Sequence, residues 1–467
     1  MTLDRRSLVS TLAAGGIGLA ASGARAAAET KSLLTVPAQA PYHVGPLVNR
    51  DRATEVLERL GLEGLILAHP INRYYLTGFD GGTFTASIGG HNSVYAIISK
   101  NRALPVAMVM ASFPYYFQMA DVQDERNVAI YQYTDPPPAA EKDLSNNSAI
   151  VGTGVAPLKA GDIGVLRDRK QEPLDRLEVD RDRHTREQAK RRPVATSAMQ
   201  ALGKAMKDLG LDRGRVGTDV LQNAEEWAQI AALAPRAQLA DANDATGLIR
   251  LVKSPAEIEL MRYAARANAE AAFLACKAVR AGATHRDLRS TFYAECAQRG
   301  SKGVWMIVDR VHTDVVRGEF RNGQSFMIDA VSTFNGYHGD YGRTVFVGEP
   351  SKTMARHTKG IELAWAAVRE KLRPGLKFTQ LQAIGQEALT KGGFDTAVRI
   401  TPHSVGILHT DAHNIANLTL EKGMIISVDF PVLEAGIGGS AHLEDLTLIT
   451  ADGHELLNDT SSPQILV

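Results

Sequence analysis

The order helix, helix, strand, strand occurs twice in the C-terminal half of this chain, and in each copy both strands carry one acid. In the first copy, Ser254-Pro255-Ala256-Glu257 opens a helix with a capping serine, a proline at the first helical position and a capping-box glutamate. That helix is expected to run to about Gly282, and a second from Thr284 to near Gly300. Two short strands follow, Phe326-Met327-Ile328 and Thr344-Val345-Phe346-Val347, joined through the turn signal Asn335-Gly336. In the second copy, helices from about Thr353 to Leu372 and from Thr379 to Lys391 are stopped by Pro374-Gly375 and Gly392-Gly393. Strands over Met424–Phe430 and His442–Ile449 complete it. An internal repeat of this kind predicts two similar halves packed about a pseudo-twofold axis.

The acids are Asp329 and Asp340 in the first copy and Asp429 and Glu444 in the second. A charge on a core-facing strand is costly unless a counter-charge or a metal meets it. For the first pair of strands alone, two aspartates facing water would satisfy the pattern equally well. Recurrence in the second copy favours convergence on one cavity, and four carboxylates do not share a dry site without cations. One imidazole stands next in sequence order, in Pro402-His403-Ser404-Val405-Gly406-Ile407-Leu408-His409. Carboxylates with one imidazole suit Mn²⁺, Fe²⁺, Co²⁺ or Zn²⁺ rather than copper. Bridging carboxylates hold two such ions about 3.5–4 Å apart in two-metal hydrolases.

The N-terminal half, from about Tyr42 to Asp244, alternates helices with apolar runs. A helix over Arg52–Leu60 leads into a strand over Leu62–Ala68, and further strands are expected at Tyr95–Ile98, Val106–Val109 and Val128–Tyr131. This is the pattern of an α/β domain. It holds no G-x-G-x-x-G and no phosphate loop, so nucleotide binding has no support. Between Arg167 and Arg192 lies a dense run of mixed charge, which reads as a solvated insertion or exposed helical arm rather than a polybasic patch.

With 52 basic and 52 acidic residues the formal net charge is zero, which gives no global pull toward nucleic acid or anionic membrane. No apolar run approaches the roughly 18 residues of a membrane span. Residues 1–26 read as a twin-arginine signal: Arg5-Arg6, a mildly apolar stretch from Leu12 to Ala21, and the A-x-A site Ala24-Arg25-Ala26. The expected location is therefore periplasmic or secreted. Cys276 and Cys296 are the only cysteines. An oxidising compartment permits a bridge, while their helical, apolar setting favours two unbridged core thiols.

From Glu257 to Leu448 the chain resembles the pita-bread metallopeptidase family, which includes Xaa-Pro aminopeptidase, prolidase, methionine aminopeptidase and creatinase. The family's "D-x-G … Y-x-x-D-x-x-R-T … V-G" stands here as Asp329, Tyr337-His338-Gly339-Asp340-Tyr341-Gly342-Arg343-Thr344 and Val347-Gly348. Upstream, Asn72-Arg73-Tyr74-Tyr75-Leu76-Thr77-Gly78-Phe79 resembles the signature of the creatinase/prolidase N-terminal domain, and it reads locally as a strand-to-turn junction with buried aromatics. The resemblance implies an α/β creatinase-like N-terminal domain over 40–245 and an α+β pita-bread catalytic domain over 250–467. It implies metal ligands at Asp329, Asp340, His403, Asp429 and Glu444. It also implies a homodimer and a small peptide or other small-molecule substrate.

By the same resemblance the reaction is hydrolysis of a short peptide with proline after the scissile bond, as in an Xaa-Pro aminopeptidase or dipeptidase. A metal-bound hydroxide attacks the carbonyl, Glu444 moves the proton, and His312 and His409 stabilise the oxyanion and the leaving amine. The chain departs from the family in four places. Ser427-Val428-Asp429-Phe430-Pro431 replaces "T-x-E-P-G", which shortens one ligand by about 1.5 Å. The interval from His403 to His409 is one residue short, His442 replaces the arginine of "R-I-E-D", and Val331 replaces a glycine. These changes leave one or two ions open. They also keep a rival reading open, a metal-dependent lyase or a creatinase-like hydrolase of a small molecule.

Overall fold

The computed structural model describes residues 40, 41, 43, 45–79, 93–112, 115, 127–134, 175–220, 223–313, 318–395, 398–412, 417–434, 436–458 and 463–467. The expected signal segment lies outside them. The chain divides into two compact units, one essentially Tyr42–Ala256 and the other Glu257 to the C-terminus. Among the described residues no helix is long and apolar enough to cross a membrane.

The first unit is built on a six-stranded sheet. In chain order its elements are α1 (Arg50–Arg59), β1 (Gly64–Leu67), α2 (Pro70–Thr77), β2 (Tyr95–Ser99), β3 (Val106–Ala111) and β4 (Val128–Tyr133). They continue with α3 (Arg176–Arg191), α4 (Ala198–Asp208), β5 (Arg213–Thr218), α5 (Ala224–Leu233), β6 (Arg236–Asp241) and α6 (Asn243–Leu251). The strand order is β4-β3-β2-β1-β5-β6, with β2 antiparallel to both neighbours and the other pairs parallel. Every residue of β1 to β4 is buried, which explains why these strands read as unbroken apolar runs instead of alternating ones.

Two sequence expectations for this unit change. The Asn72–Phe79 signature is a helix and not a strand-to-turn junction. Pro70 takes the first helical position, and Gly78 closes the helix at φ 76° against Gly45, whose carbonyl oxygen would lie 2.3 Å from any added Cβ. The start and stop residues outweigh the paired tyrosines. Asn72 accepts from Arg250 and donates to Asp219, so the signature ties α2 into the unit. The charged run is also less solvated than its composition suggests. Its helix α3 is closed by an Asp175–Glu178 capping box and buries His184 and Gln188 against Tyr115, with Tyr115 Oη 2.7 Å from His184 Nε2.

The second unit contains the repeat. Its first copy is α7 (Pro255–Lys277), α8 (His285–Gln298), β7 (Lys302–Val308), β8 (Ser325–Phe334) and β9 (Tyr337–Phe346). The second is α9 (Lys352–Lys371), α10 (Phe378–Lys391), β10 (Thr401–Ser404), β11 (Ile425–Asp429), β12 (Glu444–Asp445) and β13 (Thr447–Ile449), followed by β14 (His454–Leu456) and β15 (Gln464–Leu466). Each copy thus carries a leading strand, β7 or β10, beyond the expected two. One sheet runs β12-β9-β8-β7 with β15 beside β9, and the other runs β10-β11-β13-β14. Strand β12 comes from the second copy but pairs with β9 of the first.

The β8–β9 hairpin is much longer than its apolar ends suggested, ten residues a side. Asn335 (φ 47°) and Gly336 (φ 79°) both adopt the left-handed region that a two-residue type I′ turn needs. Helix α7 lies on this hairpin through a face of alanines, and at Gly339 the approach is backbone to backbone. A Cβ there would sit 2.5 Å from the Ala264 carbonyl oxygen and 2.4 Å from Asn268 Cβ. Asn268 donates to the Ala330 carbonyl at 2.7 Å, which satisfies a buried group where the helix crosses. Large apolar side chains on the same face of the hairpin, including Phe292, Phe320, Phe326 and Tyr341, join the alanines of α7 in one core, each contributing roughly 1.5–3 kcal/mol by burial.

Candidate metal centre

Pairing decides which side chains meet. In the β8–β9 ladder Asp329 faces Gly342 and Val331 faces Asp340, so the two aspartates lie diagonally on one face. In the β10–β11 ladder His403 faces Ser427 and Thr401 faces Asp429, which places His403 and Asp429 in the same diagonal relation. Strand β12 then sets Glu444 opposite Gly342, in one row with Asp329. The duplicated strand pairs therefore present their polar residues to a shared cavity.

His403 is the hub. Its Nε2 lies 3.3 Å from Asp429 Oδ1, 3.3 Å from Glu444 Oε1 and 3.6 Å from Asp340 Oδ2. Asp429 reaches the cluster although its side chain is one methylene shorter than a glutamate. His409 Nε2 is 3.1 Å from Asp340 Oδ2, and its ring lies 4.9 Å from that of His403 and edge-on to Trp305 at 4.9 Å. His409 is a third exposed and stands at the rim, while Asp340 is fully buried. His312 is placed differently. It is exposed on the loop after β7, and none of the cluster contacts found among the described residues includes it.

Three residues that sequence reasoning did not assign belong to the cluster's surroundings. Ser427 Oγ donates to Glu444 Oε1 at 2.6 Å. His442 Nε2 is 3.1 Å from Glu444 Oε2, with the side chain 3% exposed. His338 is pinned to Gly406, its backbone N–H donating to the carbonyl at 2.9 Å and its ring Nδ1 lying 3.1 Å away. His442 and Glu444 are two apart in an extended segment, and that alternation is the signal that would have found it.

The electrostatics are those of crowded acids. Burial, with the Glu444 carboxylate beside it, pushes Asp329 up to about 6. Burial and Glu444 also hold Asp340 and Asp429 well above the carboxylate range. Burial works against the charge on Glu444 too, but hydrogen bonds from His403 and His442 keep it well below its usual value. Burial opposes the charged form of His442, yet the Glu444 contact carries it up to about 9. His409 is lowered by burial and by the neighbouring His403.

The donor set fits divalent metal. Asp329 Oδ1 and Asp340 Oδ1 are buried without a hydrogen-bond partner among the described residues. Such orphaned groups are rare in packed interiors and call for an ion or a similar partner. Three groupings bring donor atoms within 4.8 Å of one another: Asp340, His403 and His409; Asp329, His442 and Glu444; His403, Asp429 and Glu444. A divalent ion displaces protons from raised carboxyls, so the acids that resist ionisation alone are suited to ligation.

Residues 259–451 match the model of Metallopeptidase family M24, and residues 50–155 match that of the Creatinase/Prolidase N-terminal domain. A probable dipeptidase PepE of Mycobacterium tuberculosis is 26% identical over 238 residues, 48% of this chain. The chain spans 63% of that relative's length. An Xaa-Pro dipeptidase of Pyrococcus furiosus is 22% identical over 323 residues, 66% of this chain and 90% of the relative. The crystal structure of a dipeptidase from Pyrococcus horikoshii superposes with a TM-score of 0.62 at 14% identity, covering 90% of this chain and 99% of that one. The shared architecture is a creatinase-type N-terminal domain followed by a pita-bread domain.

Proposed function

We propose that this chain, which matches the metallopeptidase family M24 model over residues 259–451, is a peptidase of that family and hydrolyses short peptides with proline after the scissile bond. The observation that carries the reading is His403 Nε2 among three carboxylates from both copies of the repeat, at 3.3, 3.3 and 3.6 Å. The names of the relatives support the substrate class, since an Xaa-Pro dipeptidase aligns over 90% of its length.

Asp329, Asp340, His403, Asp429 and Glu444 hold the ions in this reading. Divalent ions supply there an acidified water and a Lewis acid for the scissile carbonyl. The chain's own residues do the rest. Ser427 fixes one oxygen of Glu444 and leaves the carboxylate oriented to accept a proton. His409, kept neutral by burial and by His403, has an imidazole at the rim that donates to a developing oxyanion or to the leaving amine. Trp305 gives the rim an apolar wall beside that imidazole.

Protein purified without chelator should contain about two ions per chain and release proline from Ala-Pro or Leu-Pro. Metal in the absence of cleavage across a panel of Xaa-Pro dipeptides and tripeptides would favour lyase chemistry on a small acid instead. Export belongs to the same proposal and rests on Arg5-Arg6, Leu12–Ala21 and Ala24-Arg25-Ala26. Replacing both arginines by lysine should retain the protein in the cytoplasm, as fractionation would read. The reading includes a homodimer, which light scattering tests.

A further inference from the structure

We infer that His442 is itself a donor to one of the two ions, so that the pair is held by two imidazoles, one for each position. The inference rests on the two-ion reading above and concerns a residue that this reading leaves out. His442, Asp329 and Glu444 form one of the close donor groupings, and His403, Asp429 and Glu444 form another. Each contains one imidazole, and Glu444 is common to both. His442 Nε2 and Glu444 Oε2 lie 3.1 Å apart. Ligand atoms that share an ion at about 2.0–2.2 Å stand at about that separation from each other.

The surroundings of His442 are built for a fixed ring. Its backbone N–H donates to Thr344 Oγ1 at 3.0 Å, and that hydroxyl lies 3.1 Å from the His442 carbonyl oxygen, to which it donates. Beneath the ring is Gly342, the residue of β9 that faces both Asp329 and Glu444. A Cβ at 342 would lie 2.3 Å from His442 Cδ2 and 2.4 Å from Nε2, so the imidazole occupies the volume that any other residue at 342 would fill. The side chain is 3% exposed and its Nδ1 has no partner among the described residues. A buried ring with one nitrogen in the acid cluster has the access a ligand needs.

The chemical consequence is selectivity. Carboxylate-only positions suit Mn²⁺, whereas imidazole suits Zn²⁺ and Fe²⁺. An imidazole that only oriented Glu444 would leave the ions' preference to the carboxylates.

The test uses chelator-stripped full-length protein titrated with Co²⁺, Zn²⁺ and Mn²⁺ by calorimetry, with the Co²⁺ visible spectrum as a second readout. Wild type should take up two ions. His442→Ala should weaken one of them by at least the roughly 100-fold that loss of even an outer partner can cost. The other ion should be unaffected, and the Zn²⁺-to-Mn²⁺ affinity ratio of the weakened ion should fall. Gly342→Ala should act in the same direction by forcing the ring aside. Two ions bound with unchanged affinity and spectrum in His442→Ala would overturn this assignment alone. No uptake by wild type would overturn the two-ion reading and this assignment with it. X-ray absorption on the Co²⁺-loaded His409→Ala protein needs no change at His442 and removes the other nearby imidazole. Two imidazoles shared by two ions support the inference, and one overturns it.

Discussion

Arg343 Nη2 lies 2.7 Å from Asp445 Oδ1, and neither side chain is exposed to solvent. Arg343 also donates to the Gly342 and Glu444 carbonyls at 2.7 and 2.8 Å and stacks over Tyr341 at 4.0 Å. Trp365 donates to the other Asp445 oxygen. The pair thus fastens β12 to β9 at the residue next to Glu444. Asp445→Ala would strand a buried guanidinium, and a stability loss of about 3–5 kcal/mol is expected. A urea unfolding curve reads it. A joint Arg343→Met, Asp445→Leu change should recover only part of the loss, because no charge is then left unpaired but Trp365 Nε1 loses its acceptor and the Gly342 and Glu444 carbonyls lose a donor.

Asp340 is fully buried, and Oδ1 accepts no hydrogen bond among the described residues. Asp340→Ala is expected to lose metal together with peptidase activity while keeping its circular dichroism spectrum. Elemental analysis decides the point, since stoichiometric metal in this variant would overturn the ligand assignment.

His409 is at the rim and a third exposed, unlike the buried donors. Its replacement by alanine should leave the metal content at the wild-type level and lower kcat by about 10²–10⁴-fold, the usual range for a lost acid or base. Loss of an ion in this variant would move His409 into the ligand set instead.

Cys276 and Cys296 are both buried and unbridged. Burial pushes the Cys276 thiol far up and the Cys296 thiol up to about 12. A raised thiol value means that the unreactive protonated form persists at pH 8, and the thiolate is the nucleophile. The folded protein should therefore show no reaction with a thiol-specific reagent at pH 8. Two thiols per chain should react after denaturation without reductant, and none would indicate a bridge.

The acids were legible because each breaks an apolar strand pattern, and their recurrence in two copies turned a local oddity into a pocket. The leading strands were not. Thr401-Pro402-His403-Ser404 has no apolar run and contains a proline, and it becomes β10 only through its ladder with β11. Strand exchange between the copies, with β12 beside β9, depends on pairing across about a hundred residues of sequence, which no local pattern encodes. His442 read as a missing arginine because motif comparison asks what has been lost. The alternation from 442 to 444 shows what was gained. His312 was placed by interval alone, and an interval says nothing about which way a loop faces.

The split origin of the ligands has a mechanical meaning. Two acids of the candidate site come from the first hairpin and its other donors from strands of the second copy, so an ion gripped by both would act as a rivet between the repeats. Stripping it would loosen the seam where β9 meets β12, and amides there would exchange with heavy water sooner than those of the alanine-lined helix above.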